Sequence, residues 1–404
     1  SDAVAADNSQ GFDLPRIVTE LDAARPSLVA GEQKLQRVAD LLSEIDGQAP
    51  SPKVGRLLDL TERYLPLLNS GVRAAQIAPE LLGQDGPRNY LILAQNDDEL
   101  RPTGGWISGM GLVRIFQGRI DEVSFADSWA VDNLHVPHDI PPESLYRALW
   151  AEMWLFRDAN WSPDFPTSAQ VAERILRQDQ GLDVDGVIAV DQQALRVLVS
   201  ALEPLAVKTS EEPITAANVL DYMRESWTEP QEGLTRTVSS AEWTAHRKDF
   251  MSELVGAILD KVENQGDSLD LLKLGDALRR ALEERHILAY LHNPQGADLL
   301  AAQGWNGALA DTQGDYLQVV DANVGFNKVD PNVQRSISYH VNLVGPAQAQ
   351  AEAVVFYENN GQKEVDSCVQ AVEFLPTYTE LMHGCYWNYV RFYVPEGAVL
   401  LSQE

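Results

Sequence analysis

The stretch that most constrains this chain is Arg88 to Gly111, where a buried-strand pattern stops abruptly on charge. Tyr90-Leu91-Ile92-Leu93-Ala94 is an unbroken apolar run of strand length. Gln95, Asn96, Asp97, Asp98 and Glu99 follow at once, then Arg101, Pro102, Thr103, Gly104 and Gly105, before apolar residues resume at Trp106. Amides and carboxylates gathered at a strand end suggest a site held by a rigid scaffold.

Around this stretch the pattern alternates between helix and strand. Residues from Leu14 to Leu82 show helical spacing, as in Leu57, Leu60, Tyr64, Leu68 and Val72, with breaks at Gly47, Pro50 and Pro52. Two or three helices are expected there, either as a stalk beside the main domain or packed into it. Trp106 to Ile115 and Arg119 to Phe125 read as a hairpin turning at Gln117-Gly118, with Asp127 at the far end. An irregular stretch with prolines, Val131 to Pro142, leads into a helix-like segment to about Phe156. A second polar knot, Leu155 to Pro166, precedes a helix capped by Thr167 or Ser168, a strand at Val184 to Val190 and a helix from Gln192 to Leu202.

Further helices are expected at Pro213 to Trp227, Ser240 to Asn264, Leu271 to Glu284 and Pro294 to Ala302, with a short strand at Ile287 to Leu291. From Tyr316 onward the texture is strand and turn, ending at Ala398 to Leu401. The fold class is therefore α/β (α+β): a mixed sheet covered by helices, with N-terminal helices and a C-terminal antiparallel β-sandwich. The expected divisions are 1–85 helical, 86–312 α/β and 313–404 sandwich.

A chain of 404 residues with 45% apolar and 23% charged residues can build a substantial core. Its formal net charge of -29 repels polyphosphate backbones and anionic lipid surfaces at long range, so nucleic acid is not an expected partner, while local basic pockets stay open to an anion. Cys368 and Cys385 fit a disulfide across neighbouring strands in an oxidising compartment, and two buried thiols are the alternative. No apolar run of about 18 residues is present to span a membrane. The first residue is Ser1, as in a product whose signal or anchor has been removed.

The phrases Tyr90 to Gly105, Arg157-Asp-Ala-Asn-Trp-Ser-Pro-Asp-Phe165, Val184 to Asp191 and Val394-Pro-Glu-Gly397 together resemble one uncharacterised bacterial envelope family, domain of unknown function 4012. That resemblance implies an extracytoplasmic domain, anchored in the full-length protein by an N-terminal segment absent from this chain. The order of elements is more distantly similar to the LytR-CpsA-Psr phosphotransferases, which move polyprenyl-pyrophosphate-linked glycopolymers to the cell wall. By that analogy Arg101 and Arg157 grip phosphate, and Glu99, Asp127 or Asp164 faces magnesium.

The residues set each functional reading beside a structural one. Arg101 can offer a planar fork to an anion beside the Gly104-Gly105 amides, or it can pair with Asp97, Asp98 or Glu99. Arg157, Asp158, Asn160 and Asp164 can form the opposite wall of one cleft; alternatively Asn160 and Asp164 cap turns, Trp161 and Phe165 fill the core and Arg157 pairs with Asp158 or another nearby carboxylate. The candidate catalytic set is Arg101, Arg157 and Asp127, and the candidate ligand-binding set is Glu99, Thr103, Gly104, Gly105, Asn160 and Asp164. His135 and His138 with Asp132 and Asp139 match no zinc signature, and no metal ligand is assigned. There is no nucleophile elbow, Walker loop or HExxH pattern. The expected function is binding of a glycopolymer or an envelope protein without catalysis. The alternative is a metal-dependent phosphotransferase using magnesium.

Overall fold

A computed structural model describes residues 13–45, 51–228, 249–264, 269–310, 312, 314–345, 348–361, 367–371 and 378–403. The chain opens with α1 (Leu14–Ser43) and α2 (Pro52–Leu81), which pack as a helical hairpin. Asp13 and Ser51 cap them, each accepting a hydrogen bond from the backbone N–H three residues on, with proline in the first turn.

Next come β1 (Arg88–Asn96), β2 (Trp106–Phe116) and β3 (Arg119–Asp127). The turn between β2 and β3 has Gln117 at φ 50° and Gly118 at φ 74°, the left-handed pair a two-residue hairpin requires. It also receives the helical hairpin, since Gly83 O and Leu82 O accept from Gln117 N and Gly118 N. The base of the hairpin is thus tied to the sheet, whereas Leu57, Leu60, Leu67 and Leu68 of α2 remain exposed.

After α3 (Glu143–Leu149), α4 (Phe165–Gln180) and β4 (Gly186–Val190) complete the sheet's centre. β4 lies parallel to β1, while β2 pairs with β1 on its other side in antiparallel sense. α5 (Gln192–Leu202), α6 (Val219–Thr228), α7 (Asp249–Asn264) and α8 (Leu271–Glu283) follow, then β5 (Ile287–Leu291) and α9 (Pro294–Gln303). The five strands run in the order β3-β2-β1-β4-β5. This is the mixed α/β sheet covered by helices that the alternation of elements predicts.

Both faces of the sheet are covered, because alternate residues along β4 enter different cores. Val187 and Ala189 join Leu91, Leu93 and the α4 residues Phe165, Ala169, Ala172 and Leu176. Ile188 and Val190 pack instead with Ala194 and Val197 of α5 and Ala277 and Ala281 of α8. The unbroken apolar run in β1 reflects this two-sided burial.

The C-terminal part carries two small antiparallel sheets among the described residues. β6 (Gln318–Val320) pairs with β9 (Arg391–Tyr393), and β7 (Val333–Gly345) pairs with β8 (Gln348–Asn359). A single-turn helix, α10 (Tyr378–Leu381), lies between β8 and β9.

Three local expectations shift. α4 starts at Phe165 with Asp164 as its cap, not Thr167 or Ser168, because Pro166 fits the first turn and lets the helix begin upstream of those residues. α3 ends where Trp150 turns left-handed at φ 53°, short of Phe156. Ala398 to Leu401 forms no strand, and Val399, Leu400 and Leu401 are exposed, with no ladder partner among the described residues. The helix expected from Ser240 lies partly outside the described residues, Trp243 included; from Asp249 it is α7. No helix among the described residues is long and apolar enough to cross a membrane.

Candidate functional site

Two polar knots meet at the end of β1. The first begins where the register of β1 against β2 shifts between Ala94 and Gln95, so that Gln95 turns into the protein. Its Oε1 accepts from Gly105 N at 2.9 Å and from Thr103 Oγ1 at 3.2 Å, which closes the loop 97–105 back onto the strand. Gly105 has to be glycine here, since a Cβ would lie 2.4 Å from the Asn96 carbonyl carbon. Gly104 sits at φ 131°, a conformation open to glycine and strained for other residues.

The three acids of this knot go three separate ways. Gln193 Nε2 donates to Asp97 Oδ2 at 3.1 Å. Asp98 receives a two-pronged contact from Arg224, at 2.9 and 2.8 Å, and the Tyr378 hydroxyl at 2.6 Å. Glu99 takes Arg101 Nη2 at 3.0 Å on Oε1 and the Lys328 ammonium on Oε2. Burial alone would raise the Glu99 carboxyl, but Lys328 and Arg101 outweigh it and hold it below the ordinary carboxylate range.

Of the alternatives open in sequence, Arg101 has taken Glu99. It is 3% exposed, and its Nη1 donates to the Asn323 carbonyl at 2.6 Å. Its Nε is buried without a partner. Asp330 accepts from Leu100 N at 3.0 Å and from Asn323 Nδ2 at 2.7 Å, and Lys328 lies 4.5 Å from the centre of the Trp106 ring. Residues beyond 313 therefore complete the interior of this knot.

The second knot is a short 3-10 segment, Phe156–Trp161, laid against β2. Asn160, wholly buried, donates Nδ2 to Gly105 O at 2.8 Å and to Thr103 Oγ1 at 2.9 Å, while its Oδ1 has no partner. Asp158 is raised by burial, with Arg157 and Arg101 acting against the rise and Glu99 adding to it. The structure thus brings Glu99, Arg101, Thr103, Gly105 and Asn160 together, with Arg157 at the edge through Asp158.

Arg157 is placed differently from Arg101. Its guanidinium lies 4.0 Å from the centre of the Trp129 ring, 52% exposed, and only loosely meets Asp158 at 3.7 Å and Asp132 at 3.9 Å. Asp127 ends β3 and accepts from Trp129 N at 3.0 Å, capping the short turn that presents Trp129. Asp164 is tied up as the α4 cap and by Leu309 N at 3.0 Å.

The histidine loop is pinned, not open. His138 meets the Asn133 carbonyl at 3.2 Å, Asp139 pairs with Arg174, and Asp132 accepts from Phe156 N. Among the described residues no cluster of three or more acids, histidines or cysteines could hold a metal ion. Sequence reasoning missed Lys328, Asn323, Asp330, Arg224 and Tyr378; none carries a local motif, and they join the site only through the chain path. Gln95 stood in the polar run, and its role as organiser required the register shift to be seen.

Several solved structures align with part of the chain at low identity and low TM-score. TagV of B. subtilis shares 10% identity at a TM-score of 0.29, covering 57% of this chain and 87% of that one. A structure described as TagT bound to LI-WTA shares 13% at 0.30, covering 58% and 81%. Protein gbs0355 of Streptococcus agalactiae shares 11% at 0.37, covering 56% and 76%. No curated protein matches the chain. Residues 85–227, the span holding both knots and β1 to β4, match the model of a protein family of unknown function, DUF4012, which bears out the resemblance carried by the phrases within that span, with Val394–Gly397 lying outside it.

Proposed function

We propose that this chain is an extracytoplasmic cell-envelope protein that binds an anionic glycopolymer, without catalysing its transfer, through the surface around Trp129 and Arg157. The carrying observation is the contrast between the two arginines. Arg101 is buried and held by Glu99 and the Asn323 carbonyl, whereas Arg157 lies over an exposed indole. A ring face beside a partly exposed guanidinium offers a sugar a stacking surface and its acidic substituent a bidentate partner. The Cys368–Cys385 disulfide supports an oxidising compartment. The envelope location and an N-terminal membrane anchor in the full-length protein rest on the family resemblance.

The competing reading is magnesium-dependent phosphotransfer from a polyprenyl-pyrophosphate carrier. The residues it needs do not fit well: Glu99 is neutralised by Arg101 and Lys328, Asp127 caps a turn, and Asp164 caps α4.

Calorimetric titration separates the readings, using poly(glycerol phosphate) and a prenyl pyrophosphate, each with magnesium or with a chelator. The polymer is expected to bind irrespective of magnesium, with Trp129→Ala and Arg157→Ala each weakening it about tenfold. Absence of polymer binding overturns the proposal. Magnesium-dependent binding of the prenyl pyrophosphate, lost in Arg101→Ala and Arg157→Ala, replaces it with the phosphotransferase. Capture of an envelope protein in place of the polymer makes the partner a protein.

A further inference from the structure

The helical hairpin of α1 and α2 carries two apolar faces, and pairing the two helices uses only one. In each helix the less exposed residues recur in steps of three and four: Gly31, Leu35, Ala39 and Leu42 in α1, and Leu58, Thr61, Leu65, Asn69 and Val72 in α2. That seam is where the helices meet. The residues immediately before it form a second series, Val38 and Leu41 in α1 with Leu57, Leu60, Tyr64 and Leu68 in α2, and these six are between 37% and 64% exposed.

A step of one residue turns a side chain by about 100° around a helix. In an antiparallel pair the axis and the inward direction both reverse, so the same step brings side chains of α1 and α2 to one face of the hairpin. The residues just after the seam bear this out on the opposite face, where Glu32, following Gly31, pairs with Arg73, following Val72, at 2.9 Å. That face is polar, with Gln36, Asp40, Asp59 and Glu62 at the same step. Nearer the sheet it is taken by α9, whose Gln303 Nε2 donates to Ser70 Oγ at 2.9 Å. The apolar face lies on the other side, in the outer half of the hairpin.

Its charge is unlike that of the rest of the molecule. From Ala30 to Leu41 and from Leu57 to Gly71, the positions before the seam include one charge, Lys34, and no acid. The two helices together hold eight basic and seven acidic residues, so the acidity behind the net charge of -29 lies outside them. Leu68, the nearest of the α2 residues to the sheet, stands about 20 Å along the helix from Leu82, where the base is tied, and that exceeds a Debye length of about 8 Å. Two such faces can meet without acid opposing acid.

We propose that this face is a self-association surface, buried when a second copy of the chain lays its own hairpin against it to make a four-helix bundle. Steps of three and four are the spacing at which helix side chains interlock with another helix. Six half-exposed side chains, at about 100 Å² apiece, withdraw about 1,200 Å² over the pair, which clears the roughly 1,000 Å² of a specific interface. An anionic lipid surface is the poorer occupant, since a single lysine on the face is set against the repulsion of the whole chain. The pairing does not rest on the glycopolymer reading.

The test is sedimentation equilibrium of the whole chain from about 1 to about 100 µM, where a dimer dissociating in the micromolar range is expected. Leu57→Glu with Leu60→Glu should weaken it at least about a hundredfold, and Asp59→Ala, on the polar face, should leave it unchanged. All three residues are exposed, so the variants are expected to keep the wild-type circular dichroism spectrum. Independently, Tyr64→Cys should cross-link chain to chain with a short bismaleimide, and Asp59→Cys should not. A monomer at every concentration, wild-type affinity in Leu57→Glu with Leu60→Glu, or cross-linking through Asp59→Cys in place of Tyr64→Cys overturns the inference. So does a monomer that binds phosphatidylglycerol and phosphatidylethanolamine vesicles through Leu57 and Leu60, which assigns the face to lipid.

Discussion

Asn160 Nδ2 donates to the Gly105 carbonyl at 2.8 Å, a bond that joins the two knots across 55 positions of sequence. The same nitrogen reaches Thr103 Oγ1, and the residue has no solvent exposure. Truncation to alanine leaves a buried carbonyl and a buried hydroxyl without this donor, and it opens a small void. Asn160→Ala is therefore expected to cost about 2–4 kcal/mol, since each stranded polar group costs about 1–3 kcal/mol. Urea denaturation measures it, and a loss below about 0.5 kcal/mol would show that the knots are held by other contacts.

Glu99 is the hub of a buried three-membered charge network with Arg101 and Lys328. Glu99→Gln leaves two buried cations sharing no anion, a change expected to cost about 3–5 kcal/mol. The wild-type network should also fail in acid. Because the carboxyl is held below its ordinary range, its contribution is complete above the unfolded pKa of about 4.3 and disappears as pH falls through the lower folded value. Denaturation midpoints between pH 7 and pH 3 should show wild type converging on Glu99→Gln; parallel curves would contradict this.

Asp97 behaves in the opposite sense. Burial, and then Asp191 beside it, push its carboxyl up to about 6 from an ordinary 3.8. The folded state therefore holds this proton more tightly than the unfolded chain, and stability is lost as pH rises from about 4 to about 6. Two pKa units correspond to at most about 3 kcal/mol. Asp97→Asn removes the titration, so the variant should match wild type near pH 4 and exceed it at pH 7 in melting temperature. A constant difference across that range would mean that Asp97 ionises without penalty.

Much of the frame was legible in advance because it depends on local pattern. The apolar run of β1, the Gln117-Gly118 turn and the helix, strand, helix order after the second knot all follow from spacing and from residues that tolerate left-handed backbone. The meeting of the knots was legible as a possibility, since two polar clusters at the ends of neighbouring elements invite a shared location. Which charge met which was not legible. Arg224 reaches Asp98 from 126 positions away and Lys328 reaches Glu99 from 229, so the chain path, not the motif, sets those pairs. The apolar residues of α2 were equally ambiguous: their helical spacing reads as a core stripe, yet Leu57 and Leu68 lie exposed.

The Cys368–Cys385 disulfide bridges a sequence separation of 17 at the edge of the segment that completes the first knot. Asn327 Nδ2 donates to the Cys385 carbonyl at 2.9 Å, and Asn327 also accepts from Asn323, whose carbonyl holds Arg101. The cross-link thus steadies the chain that supplies the Arg101 contacts. A loop of about this length contributes about 3 kcal/mol through the restricted unfolded state, so Cys368→Ser with Cys385→Ser should lower stability by about that amount. Reductant should bring the wild-type melting curve toward that of the double variant and leave the variant's own curve unchanged. Thiol labelling of the untreated native protein is the companion measurement: two reactive thiols would remove the support for an oxidising compartment, whereas labelling only after reduction strengthens it.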